Sequence, residues 1–193
     1  MNGPDRDKPS AVALTPWRLV KSDTVYSAPP YISVESHTVE LPDGRIIEPY
    51  FRINLRSFVV MAAVTTAGHI VMGRQYRHGI EGISLMLPGG LLEPGEDSLA
   101  AAQRELREET GYVSDNWESL GHFVPNSNYR CGETFIFLAR DVRQVVEPNS
   151  GDLEETELLL LPLTEALHEL RSGNIISLSS AAGVSLAHAR LAN

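Results

Sequence analysis

The segment that decides the fold runs from Gly89 to Tyr112 and reads GGLLEPGEDSLAAAQRELREETGY. Its second half, Ser98 to Thr110, predicts a helix. Asp97 or Ser98 can cap the start of that helix, and Gly111 can end it in a left-handed conformation. The glycines at the beginning of the segment predict a tight, backbone-exposed loop that leads directly into the helix.

The predicted helix carries an acidic stripe beside an apolar one. At about 100° per residue, three carboxylates share one arc about 100° wide; they belong to Glu105, Glu108 and Glu109. The next arc is suited to a core and consists of Leu99, Ala102, Leu106 and Thr110. Like charges at these spacings cost about a few tenths of a kcal/mol per pair unless something compensates them.

Two interpretations of the acidic stripe are open. Runs such as Arg-Glu-Leu-Arg-Glu-Glu are common on solvated helix surfaces, which need no ligand. Alternatively, clustered hard oxygens suit Mg²⁺ or Mn²⁺, ions that also bridge phosphate oxygens. The preceding Gly89-Gly90 loop favours the second interpretation, because it can offer a carbonyl to the same ion and approach a diphosphate closely. It is not a Walker-type loop, since the Gly-Lys-Ser/Thr element is missing.

The flanking segments predict a mixed sheet. Phe58–Val64, His69–Arg77, Glu118–Phe123, Thr134–Ala139 and Leu158–Leu161 have strand character, while Leu163–Arg171 and Ser179–Leu191 have helical character. Because strands and helices mix without regular alternation, we expect an α/β sandwich rather than a doubly wound parallel sheet. Before this part, Pro42-Asp43-Gly44 predicts a turn between two extended segments, and therefore a small β-hairpin module.

The segment from Gly89 resembles the Nudix box, G-x5-E-x7-R-E-U-x-E-E-x-G-U with U apolar. The matching residues are Gly90, Glu96, Arg104, Glu105, Leu106, Glu108, Glu109 and Gly111, followed by Tyr112. The resemblance implies a Nudix α/β/α sandwich with a mixed β-sheet. Residues 1–14 are rich in Pro, Gly, Asp, Lys and Ser, a composition that predicts a flexible tail. The predicted domains are then an N-terminal β module at 15–55 and the Nudix domain at 56–193.

The resemblance also implies roles for the residues of the box. Glu105, Glu108 and Glu109 would be ligands of Mg²⁺ or Mn²⁺, with Glu108 counted among the catalytic residues. The Gly89 carbonyl would be a further ligand, and Gly90 would contact the substrate. A pair formed by the two remaining box residues would fix the loop against the helix; they are Glu96 and Arg104.

The remaining chain is most similar to the ADP-ribose pyrophosphatase branch of the family. Arg77, in the element Arg-Gln-Tyr-Arg, and Arg56 are the expected phosphate-facing arginines, although surface ion pairs explain each equally well. An acidic loop would supply the catalytic base or a further metal ligand. Counting back from the strand at 158–161 favours Glu154 for that role, whereas counting forward from Gly111 favours Glu155.

The implied reaction is Mg²⁺-dependent hydrolysis of the pyrophosphate bond in a nucleoside diphosphate joined to another moiety. With ADP-ribose the products would be AMP and ribose 5-phosphate. The branch usually has a Ser-Pro-Gly-like element after the box, but here Pro125 has no glycine after it. Another nucleotide sugar or NADH therefore stays open as substrate. A rival from a different class is a nucleotide-sensing Nudix module without catalysis. The branch also implies a homodimer that exchanges its N-terminal modules.

Composition limits the other partners. The formal net charge is −9 with no cluster of basic residues, and such a surface repels nucleic acid. The apolar stretches are too short to cross a membrane, and a secretory signal is not evident. The single cysteine cannot form an internal disulfide, which favours a cytoplasmic location.

Overall fold

A computed structural model describes residues 14–149, 151 and 155–192 of the chain. Of the predicted tail at 1–14, only Leu14 falls within these ranges, where it is exposed. Glu154, one of the two candidate bases, lies outside the described residues, whereas Glu155 lies within them.

The N-terminal part is a three-stranded antiparallel sheet in the order β1-β2-β3. Its strands are β1 (Arg18–Ala28), β2 (Ile32–Glu40) and β3 (Ile46–Leu55). The predicted turn at 42–44 does join β2 to β3, with Gly44 at φ +83° in the left-handed region that glycine occupies at little cost. The expected hairpin is therefore confirmed, with β1 as a third strand that pairs with β2.

A mixed sheet follows, in the order β11-β5-β4-β9-β8, and β6 also pairs with β5. Its strands are β4 (Phe58–Val64), β5 (His69–Arg77), β6 (Gly82–Met86), β8 (Asn116–Phe123), β9 (Thr134–Arg140) and β11 (Thr156–Pro162). The central pair β4–β9 is parallel and the other pairs are antiparallel. Two short strands pair separately, β7 (Tyr112–Val113) and β10 (Arg143–Gln144).

Helices cover both faces of the mixed sheet. They are α1 (Ser98–Thr110), α2 (Leu163–Arg171) and α3 (Leu178–Leu191). Alternate side chains of β4 enter two cores, as the two-residue period of a strand requires. Val60, Ala62 and Val64 lie in the core under α2 and α3. Val59, Met61 and Ala63 lie in the core under α1. The predicted α/β/α sandwich is thus confirmed.

The helix predicted at the box has the predicted bounds. Asp97 caps it by accepting hydrogen bonds from the Leu99 and Ala100 amides, and Gly111 ends it at φ +74°. The expected core residues Ala102, Leu106 and Thr110 are buried. Within the described ranges, no helix combines the length and apolar character that crossing a bilayer requires.

Candidate active site

The acidic stripe of α1 faces the protein rather than bulk solvent over much of its width. Ala101 lies about 40° from Glu105 on the helical wheel, on the acidic side, and is fully buried. The Glu105 side chain is only 14% exposed, whereas that of Glu108 is 48% exposed. The solvated-surface interpretation is therefore wrong for Glu105 and applies at most to the outer edge of the stripe.

The Gly89-Gly90 loop lies beside β4 and accepts hydrogen bonds from its backbone. The Val59 amide donates to the Gly90 carbonyl and the Met61 amide to the Pro88 carbonyl, both at 2.9 Å. Between them, the Gly89 amide donates to Glu109 Oε2 at 2.8 Å. The loop is therefore held to β4 on one side and to Glu109 of α1 on the other.

Gly90 lies directly against the Glu105 carboxylate. A Cβ added at Gly90 would be 2.1 Å from Glu105 Cδ, which is far inside van der Waals contact. Only glycine leaves room for that carboxylate. The backbone of the loop and the carboxylate of the helix therefore share a space that any side chain at position 90 would fill.

Arg104 connects the loop to three carboxylates. Its guanidinium donates to Glu96 at 2.9 Å, to Glu105 at 2.7 Å and to Glu108 at 3.2 Å. Another hydrogen bond, at 3.2 Å, reaches the Leu91 carbonyl. The hydrogen bonds from Arg104, and then that from the Glu93 amide, lower the pKa of Glu96 to about 2. The hydrogen bonds to Glu96, and then those to Glu105 and Glu108, raise the pKa of Arg104.

This pKa shift predicts how the ion pair contributes to stability. The folded-state pKa of Glu96 is below its ordinary value of 4.5, so ionised Glu96 stabilises the fold above that value and the contribution is lost as the pH falls toward 2. We expect Glu96→Gln to lower the melting temperature at about pH 6, with the deficit shrinking by about pH 3. Thermal unfolding of both proteins across this range tests it. A deficit that stays constant down to about pH 3 would contradict the assignment.

The donor set suits a hard divalent cation, but the carboxylates are engaged in other contacts. Within the described ranges, no three acidic, histidine or cysteine side chains already converge at metal-ligand spacing. Instead, Arg104 contacts Glu105 and Glu108, and Glu109 accepts from the loop. Carboxylate and carbonyl oxygens are the ligands that Mg²⁺ prefers. The chemistry of these donors therefore suits a divalent cation, while in this structure Glu105, Glu108 and Glu109 are each held by another contact.

The two expected phosphate-facing arginines lie in different surroundings. Arg56 donates from Nη2 to the Leu92 carbonyl at 2.5 Å, so it supports the loop that precedes α1. Arg77 is half-buried at the end of β5, where it pairs with Gly82 of β6. By contrast, Arg74 forms an ion pair with Glu157 on β11.

Both ends of the acidic loop are attached to the candidate site. Before it, the Asn149 amide donates to the Glu108 carbonyl at 2.8 Å. After it, Thr156 pairs with Gln75 of β5, and its Oγ1 donates to Gln75 Oε1 at 3.1 Å. Glu155 is exposed. The described residues on either side of the loop are thus attached to α1 and to the strand that ends at Arg77.

A cavity of about 720 Å³ extends along the outer flank of α1. Its lining includes Arg104 and Glu108 of α1, together with Trp117, Val146 and Asn149. The charged helix stripe therefore borders an open space at Glu108.

Several residues outside the predicted set also shape this site. The Leu91 and Leu92 carbonyls accept from Arg104 and Arg56, and Asn149 binds the helix backbone. In each contact the group contributed by Leu91, Leu92 or Asn149 belongs to the backbone, so the contact does not depend on the type of side chain there. The printed sequence contained no signal for them.

Two family models match the chain. The model of the NUDIX domain matches residues 55–178, and the model of the nucleoside diphosphate sugar hydrolase N-terminal domain matches residues 17–53. The first covers more than half of the chain and includes all the box residues described above.

Individual proteins show the same relationship. The chain is 30% identical to the methanol dehydrogenase activator of Bacillus methanolicus, over 82% of this chain and 85% of that protein. It is also 30% identical to the ADP-ribose pyrophosphatase of Bacillus subtilis, over 74% of this chain and 77% of the relative. The crystal structure of an ADP compounds hydrolase shares the fold with a TM-score of 0.82 at 23% identity, covering 94% of this chain and 97% of the other. The chain therefore belongs to the Nudix family, as a hydrolase similar to the ADP-ribose pyrophosphatases.

Proposed function

We propose that this protein hydrolyses the pyrophosphate bond of a nucleoside diphosphate joined to a second moiety, with ADP-ribose as the first candidate. Water would attack one phosphorus, the bridging P–O bond would break, and AMP and ribose 5-phosphate would leave. The observation that carries the proposal is the packing of the Gly89-Gly90 loop against Glu105 and Glu109. That packing brings the backbone of the loop and two box carboxylates to one place on the molecule.

The residues of the chain would divide the work. Glu105, Glu108, Glu109 and the Gly89 carbonyl would hold Mg²⁺, or Mn²⁺ in its place. When bound, the metal would neutralise charge at phosphorus and acidify a water molecule. Glu154 or Glu155 would accept the proton of the attacking water. Arg77 and Arg56 would contact phosphate, and Gly90 would let the diphosphate approach the backbone.

A substrate panel tests the proposal. ADP-ribose, NADH, a GDP-sugar and a UDP-sugar would each be incubated with the protein and Mg²⁺. A phosphatase that acts only on the monoester products would then release phosphate for detection. We expect turnover that requires the divalent ion, fastest on ADP-ribose. Tight binding of one compound without products would instead favour the nucleotide-sensing module, and faster turnover of another compound would replace ADP-ribose as the substrate.

Glu108→Gln is the first variant for this assay. Glu108 is exposed, whereas Glu105 and Glu109 are partly buried. The change should therefore leave folding intact while it removes the charge of one ligand. We expect turnover to fall by at least about tenfold, because even the loss of an outer partner of a metal site typically costs about 10- to 100-fold. An unchanged rate would reject Glu108 as a metal ligand.

We also propose that the protein is a homodimer that exchanges module 15–55, and that it acts in the cytoplasm. The N-terminal sheet supports the dimer because its strands expose large apolar side chains, including Leu19, Val25, Tyr26, Ile46 and Phe51. Three strands with so little cover are marginal alone. Light scattering that gave the mass of one chain would remove the proposal of a homodimer.

The proposed location in the cytoplasm rests on the single cysteine, Cys131, which is compatible with a reducing compartment.

A further inference from the structure

The segment that leads into the acidic loop is attached to the C-terminal end of α1. Arg143 and Gln144 pair with Val113 and Tyr112 as strands β10 and β7. Beyond them, the Val145 and Val146 amides donate to the Gly111 carbonyl at 2.9 and 3.4 Å. The Asn149 amide then reaches the Glu108 carbonyl at 2.8 Å. The same helix end therefore presents box carboxylates on one side and binds this segment through its backbone.

Gly111 makes this attachment possible because it has no side chain. A Cβ at Gly111 would be 1.9 Å from the Val146 carbonyl oxygen and 3.0 Å from its carbon. The obstacle is backbone, so it cannot be relieved by turning a side chain. Gly111 also has φ +74°, but this conformation is common at helix ends and asparagine tolerates it as well. The close approach is the stricter requirement.

The far end of the acidic loop is held independently of Gly111. Thr156 pairs with Gln75. Its Cγ2 also packs closely on Gly73, because a Cβ added at Gly73 would be 2.9 Å from that atom. Only residues 150–155 connect Asn149 to this second attachment. The place of the first attachment therefore limits where the glutamates of the loop can reach.

We propose that Gly111 is a positioning residue that fixes the acidic loop relative to the carboxylates of α1, through the backbone of Val146. The inference rests on the proposed function for its catalytic consequence. A side chain at position 111 pushes the Val146 carbonyl away, and the hydrogen bonds of Val145, Val146 and Asn149 weaken with it. The segment that leads into the acidic loop then loses its attachment to the end of α1, while the helix keeps its own place.

Gly111→Asn tests this proposal, with Gly173→Asn as the matched control. Gly173 follows α2 at φ +81°, and a Cβ there would meet nothing within 4 Å. Asparagine accepts the left-handed conformation at both positions, so only Gly111→Asn adds a clash. We expect amide hydrogen exchange to become faster in peptides covering 143–156 of Gly111→Asn and to stay unchanged in α3. The control should match the unaltered protein in both places.

Steady-state kinetics supply the second measurement. With the preferred substrate we expect Gly111→Asn to lower kcat by about tenfold with KM within about twofold, because the groups that bind substrate stay in place. Unchanged exchange at 143–156 would overturn the proposal, and so would faster exchange spread equally over the chain. If the unaltered protein turned over no substrate while exchange changed as expected, the proposed function would fail and the anchoring role of Gly111 would stand.

Discussion

Glu105→Gln is expected to lower kcat by at least about 100-fold, because even the loss of an outer partner of a metal site typically costs 10- to 100-fold. Glutamine has the same size and still offers an oxygen to Arg104, whose Nη1 donates to Glu105 at 2.7 Å. The variant therefore removes the charge and leaves the packing under Gly90. Arg104 contacts two carboxylates of the acidic stripe, and Glu105 is the less exposed of the two. Water therefore compensates poorly for the loss of its charge.

The measurement is turnover as a function of Mg²⁺ concentration, together with the melting temperature. We expect the variant to require more Mg²⁺ for half-maximal rate and to recover part of its activity when the ion is raised. Glu165→Gln is the matched control, since this exposed carboxylate lies on α2 across the sheet from α1. A Glu105→Gln rate within about threefold of the unaltered protein would remove Glu105 from the ligand set.

Local sequence patterns predicted those helices and strands that are determined by residues within them or next to them. The bounds of α1 followed from a capping aspartate and a terminal glycine, and the structure has both at Asp97 and Gly111. Strands β4 and β5 were predicted at their observed limits, and the continuous apolar run of β4 marked that strand as buried. The box pattern predicted which carboxylates would share one side of the helix.

Other features had no local sequence pattern that could predict them. Strand β1 is exposed along nearly its whole length, so its sequence lacks the alternation that identifies a half-buried strand. Strand β6 is short, and its Ile83 is exposed. The partly buried position of Glu105 depends on Gly90, fifteen residues earlier, and the place of Asn149 depends on the Glu108 backbone. Contacts of this kind become visible only when the chain is folded.

Gly90→Ala is expected to lower kcat by about 100-fold, since displacement of a reacting arrangement by about 1 Å can cost that much. The added methyl group would lie 2.1 Å from Glu105 Cδ, so the carboxylate must move. The obstacle is the end of a flexible side chain rather than backbone, and we therefore expect little change in melting temperature. Gly79→Ala is a suitable control because a Cβ at Gly79 meets nothing within 4 Å.

A double-mutant cycle shows whether Gly90 acts through Glu105. If the methyl group harms catalysis only by displacing that carboxylate, adding Gly90→Ala to Glu105→Gln should reduce kcat by no more than about twofold further, because interacting sites are not additive. Two independent losses would instead multiply in the double variant. Multiplication would mean that position 90 contributes by its own contact with the diphosphate, and the close packing of loop and helix would then have a separate role in holding substrate.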